Sequence, residues 1–94
     1  MTGYSVMRFI NIGFNNLVSS DRVIAVSSPD PAPMRRIVQD GKEAGKVIDC
    51  SAGKKTKSVI ITDSGHIILS ALSPDALEER LNDPSGAQTD KNSI

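Results

Sequence analysis

The chain has 94 residues, a formal net charge of zero, 38% hydrophobic residues and 3% aromatic residues. This length is enough for one small domain with a limited core. A single cysteine excludes a disulfide framework within the chain and suits a reducing compartment, and no apolar run approaches the roughly 18 residues of a membrane span. We therefore expect a cytoplasmic protein with no signal peptide and no membrane partner.

Charge is unevenly distributed along the sequence. Residues 1–57 hold nine Lys and Arg against five acidic residues, whereas residues 58–94 hold two against six. This asymmetry predicts a basic face and an acidic C-terminal region. Because the total is neutral, a strong basic surface requires either a favourable geometry or several copies that present one face together.

The first predicted elements are two strands, over residues 7–12 and 23–26, with a turn at Asn15-Asn16 between them. Three prolines within residues 29–33 exclude a regular element there. The last of them, Pro33, is suited to the first position of a helix.

An amphipathic helix is predicted after Pro33. Its apolar face recurs at helical spacing and comprises Met34, Ile37, Val38, Gly41 and Ala44. The opposite face carries Arg36, Asp40 and Glu43, and Gly45 is expected to end the helix.

Three more strands are predicted over residues 46–49, 58–62 and 66–70, the last two joined at Asp63-Ser64-Gly65. Ser73-Pro74 then predicts the start of a short second helix with Leu77 and Leu81 on its apolar side. These elements predict an α+β fold with a small, mostly antiparallel sheet of about five strands, one amphipathic helix and a short C-terminal helix. Residues 84–94 offer little to bury and are predicted to be disordered.

The hairpin over residues 58–70 is apolar without alternation, so both of its faces need cover. We expect a second copy of the chain to cover one face, because exposing several Ile and Val side chains to water costs several kcal/mol. The alternative is a central hairpin enclosed by the two helices of the same chain.

The densest cluster of cations is Gly53-Lys54-Lys55-Thr56-Lys57, here called the lysine turn. It is not a phosphate-binding P-loop, which requires Gly-Lys followed directly by Ser or Thr and an earlier glycine. Two interpretations stay open, a solvated turn and an anion-binding turn. Lysines contact phosphates as point charges, so such a turn would contribute affinity more than sequence choice.

Other candidate residues are weaker. Arg22 could pair with Asp21 or a distant acid, or could contact phosphate or a base. Arg35 and Arg36 lie on the first helical turn, where cations oppose the helix dipole. Asp49 and Asp63 end strands and are interpreted as turn or salt-bridge residues.

The single histidine and the single cysteine complete the candidates. His66 has no Cys or His nearby in the sequence, so a metal site is not expected. Cys50 is interpreted as a buried small residue whose pKa nearby lysines could lower. We expect neither an enzyme nor a cofactor nor a small-molecule substrate.

The sequence resembles the RemA-like family, the small bacterial proteins called extracellular matrix regulatory protein A and its relatives. The resemblance covers about residues 7–81 without an insertion. The blocks that carry it are FINIGF (9–14) with Asn16, RVIA (22–25), Ser28-Pro29 with Ala32-Pro33, DCSAGKKTK (49–57), IITDS (60–64) and HIILSA (66–71). Residues 7–83 are accordingly expected to form one domain, and residues 1–6 a short extension.

The resemblance implies a cytoplasmic regulator that binds double-stranded DNA, forms a homo-oligomeric ring such as an octamer and activates genes for biofilm matrix. It implies DNA contact by Arg22, Lys54 and Lys55, and the adjacent Lys57 extends this predicted DNA-binding set. Pro33 matches a family proline that we interpret as structural.

One departure from the family concerns the lysine turn, which is typically Gly-Arg-Arg-Thr-Arg in relatives. Lysine lacks the rigid fork with which arginine contacts guanine, so we expect recognition through the DNA backbone and shape. The alternative function is a self-assembling scaffold or protein-partner adaptor without nucleic acid. RNA is a third candidate, and the shortage of exposed aromatic rings argues against single-stranded targets.

Overall fold

The computed structural model describes residues 8–82, which form six strands, two α-helices and one 3-10 turn. In chain order the elements are β1 (Phe9–Asn11), β2 (Leu17–Ser19), a 3-10 turn (Ser20–Arg22), β3 (Val23–Ser27), α1 (Ala32–Glu43), β4 (Val47–Asp49), β5 (Ser58–Thr62), β6 (Ile67–Ser70) and α2 (Pro74–Asn82). The expected extension at 1–6 and the expected disordered tail at 84–94 lie outside the described residues.

The strands form two sheets. β1 and β2 make an antiparallel hairpin, and the second sheet has the order β3-β5-β6-β4. β5 pairs antiparallel with β3 and β6, whereas β4 runs parallel to β6. The prediction of an α+β fold with two helices and mostly antiparallel pairing is confirmed. The expected single sheet is wrong, because the strands divide between two sheets.

The strand that the sequence did not predict is β2. Its three residues follow a tight turn in which Gly13, Phe14 and Asn15 all adopt positive φ, at 112°, 54° and 64°. Asn16 N donates to Gly13 O at 3.0 Å and closes this turn, which confirms the predicted turn at Asn15-Asn16. A strand this short shows no alternation of its own, and only its pairing with β1 defines it.

Helix α1 begins at Ala32, so Pro33 occupies its second position and not the first. The helix ends at the predicted place, since Gly45 follows with φ +72°. Gly41 faces the sheet, and a Cβ added there would lie 2.5 Å from Ile67 Cδ1. A glycine at this position therefore allows the helix to approach β6 closely.

Both faces of the β5–β6 hairpin are buried within one chain. Val59, Ile67 and Leu69 pack under α1, where Met34 and Val38 contact them. On the other face a second cluster contains Ile10, Ile12, Ile60, Ile68 and Leu77, from the β1–β2 hairpin, β5, β6 and α2. The expectation that a second copy covers this hairpin is therefore wrong, and the alternative of cover by the chain's own elements is correct, with β1–β2 as an additional cover.

Two buried serines connect the sheet to its surroundings. Ser70 Oγ donates to Ile12 O at 2.7 Å and accepts from Leu72 N at 3.0 Å. Ser58 Oγ donates to Leu72 O at 2.6 Å. A buried hydroxyl without a partner is costly, so both serines favour the arrangement in which these bonds form. The bonds thereby fix the loops before β2 and α2 against β5 and β6.

Helix α2 begins as the sequence predicts. Ala76 N donates to the hydroxyl of Ser73 at 3.2 Å, so Ser73 caps the helix. Arg80, in the last turn of α2, donates from Nη1 to Asn11 O and connects this helix to β1. No helix within residues 8–82 has both the length and the apolar composition needed to span a bilayer.

Candidate nucleic-acid interface

The lysine turn lies between β4 and β5, and hydrogen bonds to β6 hold the chain just before the turn and at its last residue. Cys50 N donates to Leu69 O at 2.8 Å, and Lys57 N donates to Ser70 O at 2.9 Å. Within the turn, Lys54 N donates to Ser51 O at 3.0 Å. The backbone that carries the lysines is therefore anchored to a strand of the core.

Asp49 and Ser51 shape the start of this turn. The Asp49 carboxylate accepts hydrogen bonds at Oδ1 from Ser51 Oγ at 2.6 Å and from Ser51 N at 2.9 Å. These bonds, the hydroxyl first and the backbone amide second, lower the pKa of Asp49. Ala52 and Gly53 then reverse the chain with positive φ of 55° and 78°. A local carboxylate and a glycine thus direct the chain so that the next residues face solvent.

Lys54, Lys55 and Lys57 are all exposed. No hydrogen bond or ion pair joins their ammonium groups to any other side chain of residues 8–82. Because these ammonium groups have no internal partner, they are accessible both to water and to an external anion.

Arg22 ends the 3-10 turn before β3, and its partner is a distant acid. Arg22 Nε donates to Asp63 Oδ1 at 2.8 Å, with the two side chains 60% and 46% exposed. The hydrogen bond that Arg22 donates to Asp63, followed by the charge of that carboxylate, raises the pKa of Arg22. This contact confirms the interpretation of Asp63 as a salt-bridge residue.

Arg22 and the lysine turn lie at opposite ends of β5. Lys57 directly precedes β5, whereas Val23, next to Arg22, pairs with Thr62 at the end of the strand. The strand rise between residues 57 and 63 places the two ends roughly 20 Å apart. One chain therefore does not bring the four predicted DNA-binding residues to a single point.

The other candidates have local roles in the structure. Arg35 Nη1 donates to Asp30 O at 2.9 Å, across the start of α1. His66 Nδ1 contacts Ser64 Oγ at 2.7 Å, and Ser64 Oγ contacts Thr62 Oγ1 at 2.9 Å. This chain of hydrogen bonds closes the β5–β6 turn. No carboxylate in residues 8–82 orients the histidine ring, as a nucleophile–base pair would require.

Cys50 is half-buried and packs against the core cluster below the β1–β2 hairpin. Burial, and then the charge of Asp49, raise the pKa of its thiol. The expectation that nearby lysines lower this pKa is wrong, because desolvation and a neighbouring carboxylate both disfavour the thiolate. No group of three metal-ligating side chains is present in the described part of the chain.

Several large apolar side chains are exposed, which sequence reasoning missed. On the β1–β2 hairpin, Phe9 is 47% exposed, Phe14 54% and Leu17 57%. Ile24 on edge strand β3 and Ile48 on edge strand β4 are also exposed. The argument against single-stranded targets from a shortage of exposed rings is therefore weaker than expected, since both phenylalanines are accessible. Such surface is common where proteins associate.

Comparisons with known proteins agree with this architecture. The family model described as "RemA-like: Extracellular matrix regulatory protein A-like" matches residues 9–81. The chain is 51% identical to a protein of Geobacillus thermodenitrificans over 76 residues, which cover 81% of this chain and 87% of the relative. It is 54% identical to a protein of Fervidobacterium nodosum over 71 residues, 76% of each chain.

A third relative, from Acetivibrio thermocellus, is 51% identical over 76 residues, covering 81% of this chain and 82% of the relative. All three relatives carry the name "Putative regulatory protein". The structural class is thus a small α+β domain with a solvent-facing basic turn. The chain belongs to the RemA-like family, and the names of its relatives describe regulatory proteins and not enzymes.

Proposed function

We propose that the protein is an oligomeric transcriptional regulator that binds double-stranded DNA through Arg22, Lys54, Lys55 and Lys57. Through its family, the protein resembles activators of extracellular-matrix genes in biofilms. The protein is not an enzyme and uses no cofactor in this role. It acts in the cytoplasm.

The observation that carries this proposal is the lysine turn. Three ammonium groups face solvent on a backbone anchored to β6, and no side chain of residues 8–82 neutralises them. A phosphate backbone is the dense polyanion that such a turn suits. Ammonium groups follow phosphates without reading bases, so DNA shape and deformability contribute most of the choice of site.

Repetition of the site explains how a chain of zero net charge binds DNA. Four cations on one chain give few phosphate contacts, but several copies present many. Arg22 and the lysine turn of one chain lie roughly 20 Å apart. In an oligomer, the cations of neighbouring copies would lie between them along a duplex, which favours the same view.

Exposed apolar surface supports contact between copies. The outer face of the β1–β2 hairpin offers Phe9 and Leu17, and the two edge strands offer Ile24 and Ile48. Contact between two different patches of the same chain is the kind of interface that closes into rings. We therefore propose a homo-oligomeric ring.

Replacement of Lys54 and Lys55 together by Ala tests the DNA site. Affinity for a promoter-length duplex, measured by fluorescence anisotropy, should fall at least about tenfold near physiological salt, and the salt slope should fall by about 0.9 for each lost phosphate contact. The oligomer should persist in size-exclusion chromatography, because no hydrogen bond or ion pair joins either lysine side chain to the rest of the described chain.

The matched control is Lys46→Glu, which lowers the net charge by the same two units at an exposed position before β4. It should reduce affinity far less than the double variant. Equal losses in both variants would show that general charge, and not the lysine turn, determines binding.

The exposed apolar surface also favours a second candidate, a self-assembling scaffold or protein-partner adaptor. The same titration separates the two functions. A scaffold would bind the duplex only as weakly as any slightly basic protein, and the double lysine variant would leave that weak binding unchanged.

A further inference from the structure

Arg22 and Asp63 are joined twice. The Asp63 amide donates to Arg22 O at 2.9 Å, and Arg22 Nε donates to Asp63 Oδ1 at 2.8 Å. The two residues are 41 positions apart in the sequence. The backbone bond places the carboxylate beside the arginine, and the side-chain bond orients the guanidinium.

The turn that carries Asp63 is closed by further hydrogen bonds. Thr62 N donates to His66 O at 3.1 Å, and Gly65 N donates to Thr62 O at 3.0 Å. The Thr62, Ser64 and His66 side chains add the contacts described above. Asp63 is therefore presented by a well-connected turn, although its own side chain is exposed.

This ion pair contributes little to folding stability, since both partners are largely solvated. Its geometry leaves the two terminal nitrogens, Nη1 and Nη2, without a partner in residues 8–82. These nitrogens form the end of the guanidinium that binds one phosphate, or one guanine edge, with two parallel hydrogen bonds.

We infer that Asp63 is a positioning residue, which holds Arg22 with its two terminal nitrogens directed at a phosphate of the DNA backbone. This inference rests on the proposed DNA-binding function. Asp63 makes no contact with the DNA and acts through Arg22.

Two opposing effects decide what Asp63 does to affinity. Its negative charge repels a phosphate about 6 Å away by about threefold in water, and screening lowers this to about twofold in physiological salt. Ordering a free arginine side chain on binding weakens affinity by about two- to tenfold. An arginine already oriented by Asp63 avoids most of that loss, so orientation outweighs repulsion.

The test measures duplex affinity by fluorescence anisotropy for the full chain with Asp63→Ala and with Asp63→Asn. Asp63→Ala should weaken binding about two- to tenfold, although it removes a negative charge. Asp63→Asn keeps an oxygen that accepts from Nε, so it should retain most of the affinity. Thermal unfolding confirms that each variant is folded.

Two further variants make the result specific. Asp21→Ala removes an exposed acid next to Arg22 that has no bond to it, and should leave affinity unchanged or up to about twofold tighter. In an Arg22→Ala background, Asp63→Ala should no longer weaken binding, because the group that it positions is absent.

The outcomes separate the inference from the proposed function. If the unmodified protein binds no duplex, the proposed function fails and the inference fails with it. If that protein binds and Arg22→Ala weakens binding, but Asp63→Ala and Asp63→Asn both bind as tightly or more tightly, only the positioning role is overturned. An Arg22→Ala variant with full affinity also overturns it.

Discussion

The two ends of β5 present positive charge in different ways. At the lysine turn the backbone is anchored and the three long side chains are free. At the other end, Arg22 extends from a 3-10 turn and its guanidinium is held by Asp63. The lysine end concentrates charge, whereas the arginine end provides one oriented group. Affinity should therefore depend mainly on the lysine turn, and geometry of binding mainly on Arg22.

The largest effect that sharpens this comparison is in the dependence on salt. Replacing Lys54 and Lys55 by Ala should reduce the magnitude of the slope of log affinity against log salt by about 1.8 for each contacting copy. Arg22→Ala should reduce that magnitude by about 0.9. Anisotropy titrations across a series of salt concentrations measure both slopes. Equal slopes for the two variants would contradict the difference between the two ends.

A second way to break the comparison is to remove Asp49, which shapes the lysine turn without contacting a lysine. Asp49→Ala loses both bonds to Ser51 and should lower the free energy of unfolding by about 1 kcal/mol at neutral pH, after allowance for its exposure. Denaturant unfolding measures this, and duplex affinity should fall although every lysine is present.

The same carboxylate predicts a pH dependence. Because the folded pKa of Asp49 is lowered, its stabilising contribution is complete above its ordinary pKa of 3.8 and is lost as pH falls through the lower, folded value. Unfolding free energies measured from pH 7 downward should therefore decline less steeply in acid for Asp49→Asn than for the unmodified protein. Parallel curves would show that Ser51 does not stabilise the carboxylate.

Two glycines allow a matched perturbation of the two turns. Gly53 in the lysine turn and Gly65 in the β5–β6 turn have φ of +78° and +85°, and a Cβ at either would meet open space. Each change to Ala should cost about 1 kcal/mol from backbone strain alone, or a fall of roughly 4–8 °C in Tm. Calorimetry on both variants checks this.

Similar Tm losses with different effects on DNA would support the comparison. Gly53→Ala disturbs the path of the lysines and should reduce the salt slope, whereas Gly65→Ala disturbs Asp63 and should leave that slope nearly unchanged.

The smallest effect concerns the identity of the cations. Lys54→Arg with Lys55→Arg keeps the charge, so affinity for a random duplex should change by less than about threefold. Discrimination between duplexes should increase, because arginine can form two parallel bonds to a guanine edge. Binding measured against a set of duplexes that differ at single base pairs tests this, and unchanged discrimination would mean that this turn contacts phosphates only.

Local patterns predicted much of the fold. The bounds of β5, the cap at Ser73 and the stop at Gly45 follow from residues within a few positions of each feature. The strand β2 and the parallel pairing of β4 with β6 could not be predicted, since both depend on partners distant in the sequence. The cover over the β5–β6 hairpin was misjudged for the same reason, because the β1–β2 hairpin was not recognised as a packing layer.

The candidate site was predicted only in part. Charge density identified the lysine turn, and the family resemblance identified Arg22. Neither indicates that these features lie at opposite ends of one strand, which is a consequence of the pairing of β3 with β5. The contact between Arg22 and Asp63 joins residues 41 positions apart, so no local pattern predicts it.

The most direct test of an oligomeric DNA-binding regulator is the solution mass of the purified protein with and without a promoter-length duplex. Light scattering coupled to size-exclusion chromatography should give a single multiple of the 10.0 kDa chain, which increases by the mass of bound duplex. The Lys54→Ala, Lys55→Ala double variant should give the same multiple without that increase. A 10.0 kDa monomer whose mass does not change with DNA would contradict the account.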